Sequence, residues 1–170
     1  MSHNRAYIAL GTNVGNWKNN FSQAMRQISN LGIIMKSSSI YLSKPSGYMN
    51  QEYFYNSALE LKTFLSPMRL LMALQLIEKK MRRNKKILQG PRNIDLDIIF
   101  FNQMRFNSRL LKIPHYAAHK RDFVLMPLKE MNPLLFHPTY KKTVSELYET
   151  LKEKFVFKVK RHKIKSLIIY

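Results

Sequence analysis

The chain has 170 residues, 45% of them hydrophobic and 23% charged, which is the composition of a globular protein and not of a disordered one. Lys and Arg number 29 against 10 Asp and Glu, so the formal net charge is +19, which favours anionic partners such as nucleic acid, membranes or nucleoside polyphosphates. The absence of cysteine excludes a disulfide framework, and no apolar run reaches the roughly 18 residues of a membrane-spanning helix. The start of the chain lacks the apolar core of a signal peptide. We expect one cytoplasmic domain over residues 1–170, with a basic segment from about residue 152.

Hydrophobic periodicity and turn residues divide the chain into short elements. The predicted elements are a strand at residues 6–10, a helix at 17–31, strands at 33–42 and 53–63, a helix at 66–83, a strand at 94–101, a strand-like segment at 110–113, a helical turn at 119–125, a helix at 143–154, and strands at 155–160 and 164–170. Asn16 and Ser66 are predicted N-caps, Gly32 ends the first helix, and Pro127 ends or offsets the turn before it. This order predicts an α+β fold with a mainly antiparallel sheet covered by helices.

The glycines that follow the first strand, Gly11 and Gly15, fit neither the phosphate loop of nucleotide-binding proteins nor the dinucleotide fingerprint. We therefore interpret them as a structural turn.

Two aspartates, Asp95 and Asp97, open the most apolar predicted strand. Because side chains alternate along a strand, both carboxylates lie on one face, roughly 7 Å apart along the backbone. Burying two unpaired carboxylates side by side is costly, so a cation should lie between them, and Mg2+ is the natural candidate. The alternative is a solvated face on which both aspartates pair with Lys or Arg. Spacing alone does not separate these two interpretations.

The densest positive cluster, residues 79–86, runs directly into Gly90, Pro91 and Arg92 ahead of the aspartate strand. A run of this kind is usually a solvated face or a nucleic-acid patch. Here the neighbouring carboxylates would repel a nucleic-acid backbone, so the combination favours a bound polyphosphate. Further along, the pair His115 and Tyr116 follows a proline, and the residues alone favour a structural role for it.

Several ordered fragments together resemble one known family, the 6-hydroxymethyl-7,8-dihydropterin pyrophosphokinases. The fragments are Tyr7-Ile8-Ala9-Leu10-Gly11-Thr12-Asn13, Ile40-Tyr41 with Pro45 and Gly47, Phe54-Tyr55-Asn56-Ser57-Ala58, Gly90-Pro91-Arg92-Asn93-Ile94-Asp95-Leu96-Asp97-Ile98-Ile99, Pro114-His115-Tyr116, Arg121-Asp122-Phe123-Val124-Leu125, Pro127-Leu128 and His137-Pro138. The resemblance implies a ferredoxin-like αβ sandwich. It also implies transfer of the pyrophosphoryl group of ATP to the hydroxymethyl group of 6-hydroxymethyl-7,8-dihydropterin in folate biosynthesis, with release of AMP. Two Mg2+ ions, a monomer, and no membrane or nucleic-acid partner are expected with it.

The same resemblance implies roles for individual residues. Asp95 and Asp97 would hold the two Mg2+ ions. The catalytic contacts to phosphate would come from Arg92, Arg83, Arg121, His115 and Tyr116. The ATP site would comprise Gln75, Glu78, Arg92, Ile98, Leu111, Lys112, His115, Tyr116 and Arg121. The pterin site would comprise Ser43, Lys44, Ser46, Phe54, Asn56 and Phe123. Phe54 and Phe123 suit stacking on a flat heterocycle, and Asn56 would offer it both a donor and an acceptor.

The sequence departs from the family pattern in the two regions expected to close over the substrates. Leu88 and Gln89 replace a basic and an aromatic residue, and a one-residue shortening leaves either Arg82 or Arg83 as the loop arginine. The pterin loop carries Ser43-Lys44 and Ser46 in place of the usual residues. We expect residues 43–52 and 82–89 to be mobile without ligand. A basic nucleic-acid-binding module and a homologue that binds without turnover stay open as alternatives.

Overall fold

The computed structural model describes residues 3–81 and 90–160. Its elements are β1 (Asn4–Thr12), α1 (Trp17–Ser29), β2 (Ile33–Ser37), β3 (Ile40–Ser43), β4 (Phe54–Thr63), α2 (Pro67–Lys80), β5 (Asp95–Phe101), β6 (Phe106–Asn107), β7 (Lys112–Ile113), a 3-10 turn (Ala118–Lys120), α3 (Asp122–Met131), β8 (Phe136–His137), β9 (Lys142–Thr143), α4 (Val144–Glu149) and β10 (Val156–Lys160). The predicted strand at residues 164–170 lies outside the described residues.

The main sheet has the order β10-β3-β4-β1-β5, and β2 pairs with the far half of β4. Every pairing in it is antiparallel. The long connections that carry α1 and α2 place β1 between β4 and β5, which is the βαββαβ arrangement that the element order predicts. The predicted α+β class with a mainly antiparallel sheet is therefore correct.

The sheet carries a separate apolar core on each face. In β1, Ala6, Ile8 and Leu10 pack with α1 and α2, while Tyr7 between them packs with α3 and α4. Alternate residues of a strand point to opposite faces, so a strand covered on both faces reads as a continuous apolar run. That is the reason for the uninterrupted hydrophobicity of residues 6–10.

The predicted strand at 33–42 is wrong in one respect, because the structure divides it at Ser38 and Ser39. The hydroxyl of Ser38 accepts a hydrogen bond from the backbone N–H of Ala58 at 3.0 Å, and the Ser38 backbone N–H donates to the Ala58 carbonyl at 2.9 Å. A serine side chain thus replaces one rung of backbone pairing and lets the edge bend between β2 and β3.

The helix starts are confirmed, since the side chains of Asn16 and Ser66 accept hydrogen bonds from the third residues of α1 and α2. The end of α1 is not at Gly32, because the helix stops at Ser29 with Asn30 as its C-cap. Gly32 is required for a different reason. A Cβ atom at Gly32 would collide with the carbonyl oxygen of Lys62, so only glycine allows this close approach.

Two predictions in the last third of the chain are wrong. α3 continues through Pro127, although the proline removes one helical hydrogen bond. The helix persists because Val124, Leu125 and Leu128 pack in the core on the α3 and α4 face of the sheet. The helix predicted at 143–154 stops at Glu149. There the hydroxyl of Thr150 donates to the Leu147 carbonyl at 2.8 Å, in competition with the helical pattern. No helix within residues 3–81 and 90–160 is long and apolar enough to cross a membrane.

Candidate active site

One row of residues crosses the sheet where β1 ends and β4 and β5 begin. Gly11 of β1 is paired with Asn56 of β4 on one side and with Asp95 of β5 on the other, and Ala9 is paired with Asp97. The intervening Leu96 packs in the core of the opposite face, so both carboxylates face the α3 side of the sheet. The predicted common face of the two aspartates is confirmed.

The row is open because its centre carries no side chain. A Cβ atom at Gly11 would lie 3.6 Å from Oδ1 of Asn56 and 3.9 Å from Cβ of Asp95, so any larger group would fill the space between them. Glycine at this position therefore leaves room for a ligand over the sheet.

Two cavities meet at this row. The first, here called the sheet cavity, lies over the row and is bounded by β3, β4, the Arg92 segment and the start of α3. The second, the edge cavity, lies between α2, the outer edge of β5 and residues 109–116. Asp97 is the one residue that lines both cavities among the described parts of the chain.

The structure separates the predicted site residues into these two cavities. All six residues predicted for the pterin line the sheet cavity, namely Ser43, Lys44, Ser46, Phe54, Asn56 and Phe123. Seven residues predicted for ATP line the edge cavity, namely Gln75, Glu78, Ile98, Leu111, Lys112, His115 and Tyr116. Arg92 and Arg121, also predicted for ATP, line the sheet cavity instead. Arg82, Arg83, Leu88 and Gln89 lie outside the described residues.

Arg92 links the two predicted functions. Its Nε lies 3.0 Å from Oδ2 of Asp95, and the centre of its guanidinium lies 4.8 Å from the centroid of the Phe54 ring. Its Nη1 also donates to the Gly90 carbonyl at 3.0 Å. The arginine charge is therefore held between a carboxylate and an aromatic platform, where an incoming phosphate would compete for it.

The amide N–H groups of Asn56 have protein partners in this structure, and its double role toward a ligand stays a prediction. Its amide Nδ2 donates to the Ser43 hydroxyl at 2.9 Å and also lies within reach of the carbonyls of Tyr41 at 3.2 Å and Phe54 at 3.3 Å. The N–H donors are thus committed to the protein, whereas Oδ1 faces the space above Gly11. In this arrangement Oδ1 can accept a hydrogen bond from a ligand donor above Gly11.

Asn13 is a site residue that was not predicted. Its Oδ1 accepts from the Arg92 backbone N–H at 2.9 Å, while its Nδ2 donates to Oε1 of Gln51 at 3.0 Å and to the Glu52 carbonyl at 3.1 Å. The end of β1 is therefore tied both to the Arg92 segment and to the loop before β4. The motif around Asn13 was recognisable, but its partners lie 38 to 79 residues away in sequence.

Glu78 has a structural contact besides its place in the edge cavity. Its side chain is buried, and Oε1 accepts from the backbone N–H of Leu96 at 2.8 Å. Leu96 is the residue between the two aspartates. A carboxylate on α2 therefore fixes the outer edge of β5 at the residue between Asp95 and Asp97.

His115 enters the edge cavity in a neutral form. Burial, reinforced by the positive charge of Arg121 and opposed by Asp95, lowers its pKa to about 4. Its Nδ1 accepts from the Ala117 backbone N–H at 3.3 Å, so the ring proton is on Nε2. A neutral imidazole of this kind can donate one hydrogen bond to an anionic oxygen.

The residues over the sheet suit a hard cation that keeps most of its ligands from outside the protein. Asp95 and Asp97 supply carboxylate oxygens on one face above glycine and alanine. In the described part of the chain no group of three or more His, Cys, Asp or Glu side chains could hold a metal ion. Any ion here would thus take its further ligands from water or phosphate, as Mg2+ commonly does.

The family described as 7,8-dihydro-6-hydroxymethylpterin-pyrophosphokinase (HPPK) matches residues 7–133. The chain belongs to this family. The sequence-based assignment to a pyrophosphokinase family of folate biosynthesis is thereby confirmed, and a nucleic-acid-binding module is not favoured. The matched range contains every predicted site residue, whereas α4 and β10 lie beyond it.

Curated relatives of two sizes match the chain. The 2-amino-4-hydroxy-6-hydroxymethyldihydropteridine pyrophosphokinases of Aquifex aeolicus and Bacillus subtilis are 38% and 40% identical to it, over 82% and 76% of the chain and 88% and 78% of their own lengths. The folic acid synthesis protein fol1 of Pneumocystis carinii is 41% identical over 85% of the chain. The chain spans only 20% of that much longer relative.

A solved structure supports the fold assignment. The Plasmodium falciparum HPPK-DHPS wild type with pteroate has a TM-score of 0.72 at 19% identity, and the match covers 87% of this chain and 44% of that one. At this identity the likeness concerns the fold alone. The predicted ferredoxin-like sandwich is confirmed.

Proposed function

We propose that this chain transfers the pyrophosphoryl group of ATP to the hydroxymethyl group of 6-hydroxymethyl-7,8-dihydropterin and releases AMP. The observation that carries the proposal is the position of Asp97 at the junction of two cavities. Six of the predicted pterin residues line one cavity and seven of the predicted ATP residues line the other. Two substrates bound in this way would meet at the aspartates.

The sheet cavity suits a flat heterocycle with N–H donors. Phe54 and Phe123 offer aromatic faces, and the Oδ1 of Asn56 is an acceptor next to the open space above Gly11. The guanidinium of Arg92 lies over the ring of Phe54, so a pterin that binds at this ring would lie beside a positive charge. A pterin bound here places its substituent toward Asp95 and Asp97 in our proposal.

The transfer itself requires little covalent chemistry from the protein. The hydroxymethyl oxygen attacks the β-phosphorus of ATP, an O–P bond forms, and the bond between the β-phosphorus and the α–β bridging oxygen breaks. AMP leaves with that oxygen, and the hydroxyl proton is released to solvent. Alignment and charge neutralisation then account for most of the acceleration.

Several side chains of the site can neutralise the phosphates. We assign Arg92 and Arg121 to phosphate groups that reach the sheet cavity, and His115 and Lys112 to those in the edge cavity. The Nε2–H group of His115 would donate a hydrogen bond to a phosphate oxygen. Tyr116 is 65% exposed, so the bound nucleotide would have to order its side chain before it could contact a phosphate.

Asp95 and Asp97 would hold Mg2+, which we propose as a pair of ions taken up with ATP. When bound, the cation would offset charge on the phosphates. Asp95 shares its carboxylate with Arg92 in the present arrangement. Binding would therefore exchange that ion pair for the cation and free the guanidinium for phosphate.

The decisive experiment measures AMP formed from ATP and Mg2+ by the purified full chain, with and without 6-hydroxymethyl-7,8-dihydropterin. We expect AMP only when the pterin is present. Asp97→Asn keeps the shape of the side chain but removes its charge, and should lower the rate by about a thousandfold or more. Glu149→Gln is the matched control, because Glu149 is an acid on α4 that pairs with Lys129, and neither residue lines either cavity.

Calorimetric titration with a non-hydrolysable ATP analogue and with the pterin distinguishes an active enzyme from a homologue that binds both ligands without turnover. If both ligands bind the wild type but no AMP forms, the chain is a binding homologue without turnover. Full activity in Asp97→Asn would contradict the assignment of the aspartates.

A further inference from the structure

The C-terminal strand β10 forms part of the site although it lies beyond the matched family residues 7–133. It pairs with β3 at the edge of the sheet, and Val156 is the partner of Ser43. Ser43 is the first residue of the proposed pterin site. The start of β10 therefore lies directly behind one wall of the sheet cavity.

Phe155, immediately before β10, contacts both walls of that cavity. Its carbonyl accepts from the backbone N–H of Lys44 at 2.9 Å, which holds the loop that follows β3. Its ring packs edge-to-face on Phe123, with the ring centroids 6.2 Å apart and an interplanar angle of 80°. One residue thus fixes the relative position of the pterin loop and of a proposed stacking platform.

Phe155 is in turn held by a fully buried carboxylate. Asp122 is 0% exposed, and its Oδ2 accepts from the backbone N–H groups of Phe155 at 2.7 Å and Val156 at 2.8 Å. Within residues 3–81 and 90–160 its Oδ1 has no hydrogen-bond partner. Burying a carboxylate with one oxygen unsatisfied costs free energy, so the position is poorly explained by stability alone.

The location of Asp122 explains how this cost can be useful. It is the first residue of α3, where the helix dipole favours a negative charge, and it lies between Arg121 and Phe123. Both neighbours line the sheet cavity. Asp122 therefore lies directly behind the cavity wall that carries Phe123, the proposed pterin platform.

We infer that Asp122 is a positioning residue for the pterin, which it serves by holding Phe155 and β10 as the rear wall of the sheet cavity. This inference rests on the proposed function and assigns a role to a segment outside the matched family range. The charge-assisted hydrogen bonds of Asp122 set the distance between Lys44 and Phe123 through Phe155.

The test compares steady-state constants of Asp122→Ala, Asp122→Asn and Phe155→Ala with those of the full-length wild type. We expect the KM for the pterin to rise about tenfold in both alanine variants. Asp122→Ala loses the acceptor of the Phe155 and Val156 backbone N–H groups, and Phe155→Ala loses the ring that packs on Phe123. Asp122→Asn keeps an oxygen that can accept the same two hydrogen bonds, so its KM should rise only about threefold. The KM for ATP and the kcat at saturating pterin should stay within about twofold of wild type.

Val159→Ala is the matched control on the same strand. Val159 is 43% exposed and pairs with Tyr41, but it does not line the sheet cavity. Its substitution should leave both KM values unchanged. Parallel rises in the KM for both substrates, or a rise in Val159→Ala as large as in Phe155→Ala, would overturn the inference by showing a general structural effect.

Direct titration with 6-hydroxymethylpterin keeps the result independent of turnover. If the wild type forms no AMP, the proposed reaction fails, while the positioning role is still tested by the pterin Kd. A Kd about tenfold higher in Phe155→Ala than in wild type supports the role. Equal Kd values in wild type and Phe155→Ala overturn it, and this variant serves if Asp122→Ala does not fold.

Discussion

The two cavities that meet at Asp97 differ in how much of each the protein fixes before any ligand arrives. The strand residues that line the sheet cavity are mostly buried, with Ser43, Phe54 and Asn56 exposed by only 1%, 7% and 6%, whereas Lys44 in the loop after β3 is exposed. The edge cavity includes Leu110 and Tyr116, which are exposed by 71% and 65%. The difference indicates a preformed pocket for the pterin and a nucleotide pocket that is completed by its ligand.

The architecture explains this difference. The sheet cavity is built from the inner strands β3, β4 and β1 and the edge strand β5, with α3 above them, so backbone hydrogen bonds fix its walls. The edge cavity lies next to β5, on the side of the sheet edge. Besides α2 and β5, the described elements around it are the two-residue strands β6 and β7. Substitutions of the buried strand residues in the first cavity should therefore cost stability and affinity together, and substitutions of the exposed residues in the second should cost affinity alone.

The largest combined effect is expected for Asn56→Ala. The substitution removes the amide that bonds the buried Ser43 hydroxyl and reaches two strand carbonyls. The free energy of unfolding, measured by urea denaturation, should fall by about 2–3 kcal/mol. The Kd for the pterin should rise more than about tenfold, with the Kd for an ATP analogue nearly unchanged.

Asn20→Ala provides the matched control for that result. The amide of Asn20 donates to the Thr12 hydroxyl at 2.8 Å and to the Val14 carbonyl at 2.7 Å, but it lines neither cavity. It should lose stability and keep its affinity for the pterin. Wild-type pterin affinity in Asn56→Ala would refute the preformed pocket.

Substitution of Asn13 should have smaller effects than Asn56→Ala, because Asn13 holds the Arg92 segment and the loop before β4 but does not line the sheet cavity. Asn13→Ala removes the side-chain ties to Arg92, Gln51 and Glu52 but keeps the backbone hydrogen bond to the Arg92 carbonyl, and should cost about 1–2 kcal/mol of unfolding free energy. Asn13→Asp keeps the acceptor for the Arg92 N–H and loses only the two donors. We expect the pterin KM to rise in both variants and kcat to fall mainly in Asn13→Ala. Identical kinetics of the two variants would show that the Arg92 tie is unimportant.

Tyr116→Ala tests the edge cavity. Because the side chain is mostly exposed, the unfolding free energy should change by less than about 0.5 kcal/mol. The KM for ATP should rise about fivefold, whereas the pterin KM should stay constant. A loss of stability comparable to that of Asn56→Ala would remove the contrast between the two cavities. Tyr140→Ala, a half-exposed tyrosine outside both cavities, is the control.

The sequence predicts what depends on local pattern. Alternation placed Asp95 and Asp97 on one face, and the caps at Asn16 and Ser66 follow from side-chain chemistry within three residues. The ties that build the site were missed because they are long-range. Asn13 and Arg92 are 79 residues apart in sequence, and Asp122 and Phe155 are 33 apart. Hydrophobic periodicity, which is a local pattern, therefore predicts neither contact.

The smallest effect expected is a pH dependence from His137, which is buried against the ring of Phe100 and lines neither cavity. Burial, together with the nearby His119, lowers its pKa to about 4, and its Nδ1 accepts from the backbone N–H groups of Thr139 and Tyr140 at 3.3 Å each. Because the folded pKa lies below the unfolded value of about 6.5, the unfolded chain takes up the proton first as the pH falls.

His137 therefore stabilises the fold fully above about pH 6.5, and its contribution is lost progressively as the pH falls toward 4. His137→Asn keeps an acceptor near the position of Nδ1 but cannot titrate, so the acid-induced loss of unfolding free energy between about pH 7 and pH 5.5 should shrink by about 1 kcal/mol. The same measurement on His115→Asn should give a similar decrease, since its pKa is also lowered to about 4. A bound ATP analogue should abolish only the contribution of His115 to this acid-induced loss of unfolding free energy. Phosphate favours the charged imidazole of His115 in the edge cavity and cannot reach His137. Equal responses of both variants to the analogue would contradict the division of the site into a preformed and a ligand-completed cavity.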